Sequence, residues 1–154
     1  TTLQLLLKHF PSNGSQALLP LLGKCLSKSW RVVIRGQDLD QLHELDDKLW
    51  HGASDAFLPH GLAGSLGAAD QPILLTLEGQ QYHHDCLICI SGTSILEDEI
   101  AEAKRVCIVF QDDNSADMQT ARSQWKSFTR AGFAAKYWSQ SNGSWELQAE
   151  NAGV

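Results

Sequence analysis

The segment Cys86-Leu87-Ile88-Cys89-Ile90 is an unbroken apolar run, and it decides the fold class. A similar run precedes it, Pro72-Ile73-Leu74-Leu75-Thr76, and another follows it, Val106-Cys107-Ile108-Val109-Phe110. A strand with one exposed face alternates apolar and polar residues, whereas a strand covered on both faces is apolar throughout. The three runs therefore predict a sheet that lies between two layers of helices.

The segments before these runs alternate between strand and helix patterns. Short apolar runs predict strands at residues 3–7 and 31–35, and apolar residues at helical spacing predict helices ending near Ser29 and from Asp38 to Trp50. Residues 53–71 are rich in Gly and Ala and predict a long connection. We expect an α/β fold: a three-layer α/β/α, Rossmann-like domain with a mixed and mostly parallel sheet.

The carboxyl-terminal third predicts a short helix at residues 97–104 and a longer helix that Asn114 caps and Gly132 ends. Residues 133–138 and 144–147 predict a final strand or hairpin. We expect one domain over residues 1–148 and a frayed tail at residues 149–154.

Composition favours a folded cytoplasmic protein. The chain has 154 residues, of which 43% are apolar, and no apolar stretch approaches the roughly 20 residues that span a bilayer. The four cysteines are scattered among apolar residues, unlike the short, loop-rich frameworks of secreted proteins, and are expected to be reduced thiols. No secretory leader is expected before Leu3. A net charge of −6 disfavours strong direct binding to nucleic acid, but a local basic patch can still hold an acidic protein segment.

Nucleotide-binding and metal-binding patterns fail on spacing. Gly23-Lys24 lacks the glycine and the Ser or Thr of a phosphate loop, and glycines 61, 64 and 67 do not fit a dinucleotide fingerprint. Cys86 and Cys89 point to opposite faces of a strand, so they would not converge on one zinc ion. No set of residues indicates a nucleophile with its base, so we expect no cofactor, no metal and no catalytic site.

Three cations on the last predicted helix stand out in this acidic chain. Arg122, Lys126 and Arg130 recur every four residues and share one face, with Trp125 and Thr129 beside them. Gly132 then leaves room for a chain to approach where the helix stops. This combination suits a short acidic peptide with a hydrophobic end, because the cations bind carboxylates and the aromatic side chain packs against the apolar residue.

Two simpler interpretations of the same residues remain open. A surface helix often carries cations for solubility alone. Trp125 also shares its spacing with Met118, Ala121 and Phe128, which is the pattern of a buried face.

Six segments resemble the chi subunit of bacterial DNA polymerase III. In order along the chain they are Asp46-Asp47-Lys48-Leu49-Trp50, Ser54-Asp55-Ala56-Phe57-Leu58-Pro59-His60, Leu62-Ala63-Gly64, Gln71-Pro72-Ile73, Ala121-Arg122-Ser123-Gln124-Trp125-Lys126 and Ala131-Gly132-Phe133. The resemblance extends to about Tyr137. It implies a noncatalytic accessory subunit of the clamp-loader complex with an α/β/α fold.

The resemblance also implies two partners. One is the acidic, Phe-terminated tail of single-stranded DNA-binding protein: Arg122 and Lys126 would hold its carboxylates, Trp125 would pack its apolar end, and Gly132 would line the floor, with Thr129 extending the surface. The other partner is a psi subunit, which links chi to the clamp loader.

For the psi subunit, the resemblance suggests an interface at Trp50, Phe57, Pro59 and His60. Two other functions stay open: a Rossmann-like enzyme or nucleotide-binding domain whose pocket lies at the strand ends, and an interaction domain for a different acidic ligand.

Overall fold

The computed structural model describes residues 2–8, 22–51, 60–64, 67, 70–77, 82–90, 93–111, 115–141 and 144–151. Strands and helices follow one another along most of this length, as the apolar runs predict. In chain order they are β1 (Thr2–Lys8), α1 (22–27), β2 (Val32–Gly36), α2 (Leu39–His51), β3 (His60–Leu62), β4 (Ile73–Leu77), β5 (Cys86–Ile90), α3 (Glu97–Glu102), β6 (Arg105–Gln111), α4 (Ser115–Arg130), β7 (Ala134–Ser141) and β8 (Ser144–Asn151).

All eight of these strands belong to one sheet, in the order β3-β4-β2-β5-β6-β1-β7-β8. Every neighbouring pair is parallel except β7 and β8, which form an antiparallel hairpin at one edge. The prediction of a mixed and mostly parallel sheet is therefore confirmed.

Side chains of the central strands fill a separate core on each face of the sheet. In β5, Cys86 and Ile88 point to the core that α1 and α2 cover, and Leu87 and Cys89 point to the core beneath α3 and α4. This alternation follows from the two-residue period of a strand. It confirms the three layers and also the expectation that Cys86 and Cys89 face opposite sides.

Two sequence-based predictions about the edges of the sheet were wrong. His60–Leu62 pairs in parallel with β4 as the edge strand β3, although these residues lie in the connection predicted to lack secondary structure. Residues 149–151 are part of β8 and are not frayed, because they pair with residues 135–137 of β7. In both cases backbone hydrogen bonds to a neighbouring strand order residues whose side chains give a weak strand signal.

Arg35 is a buried cation that joins two layers of the fold. It is 4% exposed, and its guanidinium donates to both carboxylate oxygens of Glu99 in α3, with Nη1 at 2.9 Å from Oε1. Nη1 also donates to the carbonyl of Ser94 at 3.0 Å. The arginine holds the pKa of the Glu99 carboxyl below its usual range, because it stabilises the charged form. The pair therefore fixes α3 against the end of β2.

Within the described residues, helices long and apolar enough to cross a membrane are absent.

Candidate functional site

The three predicted cations of α4 lie on its exposed surface. Arg122, Lys126 and Arg130, here called the α4 ridge, are all exposed and follow one another at intervals of one helical turn. Residues 118–133 include neither Asp nor Glu, so no carboxylate of this helix segment or of its end neutralises them. The ridge is therefore a local positive surface on an acidic chain.

Trp125 belongs to the surface beside the ridge and to the core at the same time. It is partly buried and packs against the cluster that contains Ala121 and Phe128. The residue is thus anchored by its neighbours, as the helical spacing indicates, while part of it stays accessible. A rigid, half-exposed indole of this kind loses little entropy when an apolar side chain packs against it.

The end of α4 has the hydrogen bonds of a Schellman motif. The Gly132 N–H donates to the Thr129 carbonyl at 3.1 Å, and the Phe133 N–H donates to the Phe128 carbonyl at 3.1 Å. Gly132 has a φ of 98°, which an L residue rarely adopts. The motif turns Phe133 back onto the core and leaves a position without a side chain directly after the last turn of the helix.

Thr129 uses its hydroxyl within the helix. Its Oγ1 donates to the Trp125 carbonyl at 2.7 Å and lies 3.3 Å from the Lys126 carbonyl. The hydroxyl proton is therefore committed to the backbone. Thr129 therefore has no free O–H donor for a ligand at this surface.

A groove follows the flank of α4 that faces away from Trp125 and Thr129. Its volume is about 640 Å³, and its lining is mostly uncharged and polar: Ser94, Ile95, Ala116, Gln119, Thr120, Ser123, Gln124, Ser127 and Phe128. Gln124 ties the groove to the segment before α3, because its Nε2 donates to the Thr93 carbonyl at 3.0 Å. The groove was not predicted from the sequence, although small polar residues recur along α4 at helical spacing.

The predicted partner interface is described only in part. The side chain of Trp50 lies outside the described residues, as do Phe57 and Pro59 altogether. His60 is 4% exposed, and its Nε2 lies 3.0 Å from Oδ1 of Asp46 in α2. His60 therefore joins the edge strand β3 to α2 inside the domain, and it supports this corner of the fold rather than forming part of its surface.

Four buried thiols lie in the strands and helices that form the core. Cys25, Cys86 and Cys107 face the same core cluster, and none of the four forms a disulfide. A hydrogen bond with Cys86 and burial raise the pKa of the Cys25 thiol far above its usual range, and a hydrogen bond with Cys107 raises the pKa of the Cys86 thiol. Among the described residues, no group of three or more His, Cys, Asp or Glu could hold a metal ion.

Comparison with known proteins finds one family and several relatives. Residues 5–136 match the family described as DNA polymerase III chi subunit, HolC. The DNA polymerase III subunit chi of Escherichia coli (strain K12) is 30% identical over 127 residues, which cover 79% of this chain and 84% of that protein. A probable DNA polymerase III subunit chi of Rickettsia prowazekii (strain Madrid E) is 33% identical over 97 residues, or 62% of this chain and 58% of that protein.

Proposed function

The chain belongs to the family of DNA polymerase III chi subunits, and from this premise we propose that it is a noncatalytic accessory of the clamp-loader complex. In this role it binds the acidic carboxyl-terminal tail of single-stranded DNA-binding protein and so connects that protein to the replication machinery. A cytoplasmic location is part of the same proposal. The observation that carries it is the α4 ridge beside the half-exposed Trp125.

Each part of this surface matches a part of an acidic, Phe-terminated peptide. Arg122 and Lys126 supply a guanidinium fork and an ammonium for carboxylates. Trp125 supplies an aromatic wall for the terminal side chain. Gly132 has no side chain that would obstruct a peptide approaching the helix end.

Calorimetric titration with a short peptide of about four residues that ends in Asp-Phe tests the proposal. We expect a dissociation constant in the micromolar range, about −8 kcal/mol. Arg122→Ala and Lys126→Ala should each weaken binding about tenfold, because each removes a charge-assisted contact. Neither change should cost more than about 0.5 kcal/mol of stability, since both side chains are exposed.

Lys24→Ala is the matched control, because it removes an exposed cation from α1 rather than from α4. It should leave binding of the short peptide unchanged. A peptide with an amidated carboxyl terminus should bind more weakly, since the terminal carboxylate is lost. Equal binding by the wild-type protein, Arg122→Ala and Lys126→Ala would exclude the α4 ridge as the site.

A psi subunit is the second partner in this proposal, through Trp50, Phe57 and Pro59, while the buried His60 supports this corner of the fold. Trp50→Ala should abolish copurification with coexpressed psi while short-peptide binding persists. His60→Ala should weaken copurification only as far as it lowers stability, because His60 is buried against Asp46. Undiminished copurification of Trp50→Ala would contradict this assignment.

A further inference from the structure

A second positive surface surrounds Trp30, and no part of the proposed function uses it. Lys28 Nζ lies 4.6 Å from the centroid of the indole ring, Lys104 Nζ lies 5.7 Å away, and Arg105 Cζ lies 5.6 Å away. These distances are typical of cation–π contacts. We call Trp30 with Lys28, Lys104 and Arg105 the Trp30 patch.

The core and one carboxylate hold the Trp30 patch in place. Trp30 is partly buried and packs against the core cluster of Cys25 and Cys86. Asp85 accepts a hydrogen bond from the Arg31 N–H at 2.9 Å, and its Oδ1 lies 3.5 Å from Lys104 Nζ. One carboxylate thus anchors the patch, while Lys28 remains exposed and the Lys104 side chain is 59% exposed.

The Trp30 patch and the end of the α4 ridge lie at the same end of the parallel strands, although Trp30 and α4 pack on opposite faces of the sheet. Thr2 of β1 pairs with Arg105 of β6 on one side and with Ala134 of β7 on the other. Two strand spacings, about 10 Å, therefore separate the backbone at Arg105 from the backbone just after Gly132. An extended peptide crosses this distance in about three residues.

We propose that the Trp30 patch binds the acidic stretch that precedes the terminal residues of the same peptide tail. This inference rests on the proposed function of the α4 ridge. From the level of Lys126 to the end of α4 at Arg130 is about 6 Å along the axis. The step across the strands to Arg105 adds about 10 Å, and the passage from the α4 layer to the face that Trp30 packs on adds roughly another 10 Å. A tail seated on the ridge thus reaches Lys28 and Lys104 with about eight further extended residues, which pass around the ends of the strands.

Charge and geometry favour a polypeptide over a nucleic acid at this patch. Single-stranded nucleic acid binds largely by stacking its bases on open aromatic faces. The Trp30 ring instead lies against three cations, so it positions charges and offers no free stacking platform. The net charge of −6 over the whole chain also repels a long phosphate backbone more than a short acidic segment.

The test compares the short peptide with a long peptide that carries about eight acidic residues before the same Asp-Phe end. The wild-type protein should bind the long peptide about three- to tenfold more tightly, and added salt should reduce this gain. The double variant Lys28→Gln, Lys104→Gln should lose the gain and bind the short peptide as the wild-type protein does. Arg122→Ala should weaken both peptides.

Two controls separate a local effect from a global one. Lys28→Arg with Lys104→Arg keeps the charges and should keep the gain. His43→Glu adds a negative charge at an exposed position of α2, outside the Trp30 patch, and should leave the gain within about twofold because exposed charges interact weakly.

Other results of the binding test would contradict either the Trp30 patch alone or the whole proposed function. Equal affinity for the two peptides, or a gain that survives the double Gln variant, would refute the role of the Trp30 patch and leave the α4 ridge intact. Absence of binding by either peptide would refute the proposed function and this inference with it. Tighter binding of an oligo(dT) strand than of the long peptide, lost in the double Gln variant, would reassign the patch to nucleic acid.

Discussion

α1 and α4 end with the same hydrogen-bond pattern, but the residue with the left-handed backbone is Ser29 after α1 and Gly132 after α4. At the end of α1 the Ser29 N–H donates to the Leu26 carbonyl and the Trp30 N–H donates to the Cys25 carbonyl, both at 3.0 Å. This repeats the pattern of Gly132 and Phe133 after α4. Each end directs an aromatic residue onto a core cluster, one on each face of the sheet.

The backbone angles explain the different residues. Ser29 has a φ of 59°, inside the small left-handed region that L residues tolerate, whereas Gly132 has a φ of 98°, outside it. A side chain is therefore acceptable after α1, where Lys28 and Trp30 form a crowded patch. Glycine is required after α4, where the proposed peptide approaches.

The largest expected effect comes from removing the aromatic residue at either end. Trp30→Ala and Phe133→Ala should each lower the free energy of unfolding by about 2–3 kcal/mol, less than for a fully buried ring because both are partly exposed. Urea unfolding followed by circular dichroism measures this. A cost below about 0.5 kcal/mol for either variant would show that the two ends do not anchor the cores alike.

Gly132→Ala should destabilise the protein by about 1–2 kcal/mol, because a Cβ is strained at this φ. Thermal unfolding provides the measurement. Gly23→Ala is the matched control, since Gly23 lies on α1 with nothing beyond its own helix backbone within 4 Å of the place that a Cβ would take, and it should gain stability slightly. Unchanged stability of Gly132→Ala would contradict the strained conformation.

Ser29→Gly is the reciprocal change and should stabilise the protein by only about 0.5 kcal/mol. Relief of the left-handed backbone favours the folded state, but glycine also raises the entropy of the unfolded chain. Chemical denaturation of the wild-type protein and the variant side by side resolves a difference of this size. A loss of stability would mean that the Ser29 side chain makes a contribution that its backbone angle does not reveal.

The smallest effect concerns Asp85 beneath the Trp30 patch. The Arg31 N–H, followed by Lys104, holds the pKa of this carboxyl below its ordinary value of 3.8. The charged form therefore adds stability above that pH, and this stability is lost as the pH falls through the lowered pKa. Asp85→Asn should be less stable near neutral pH, with a deficit that shrinks below about pH 4. A deficit independent of pH would contradict the charge-based origin.

Much of the fold could be predicted because local signals and tertiary structure agree. The apolar run at residues 86–90 is β5, and the alternation of its side chains separates Cys86 from Cys89. β3 could not be predicted, because its three residues become a strand only through backbone pairing with β4. The ordered end of β8 depends in the same way on β7.

The positive surfaces of the protein differ in the same way in how far the sequence predicts them. The α4 ridge could be predicted because four-residue spacing within one helix fixes its geometry. The Trp30 patch could not be predicted, since Lys28 and Lys104 lie far apart in sequence and come together only in the fold, where the end of α1 lies beside the start of β6. The ion pair of Arg35 with Glu99 was missed for the same reason.

The buried thiols give this molecule a built-in reporter of its own opening. Only a thiolate reacts readily with alkylating reagents, and Cys25 and Cys86 are held in the protonated state within the core. Alkylation of the native chain must therefore wait until α1 separates from the sheet or the domain unfolds. The alkylation rate of these cysteines would therefore measure how often α1 separates from the sheet, without any added label. A peptide tail bound at the end of α1 would lower this rate.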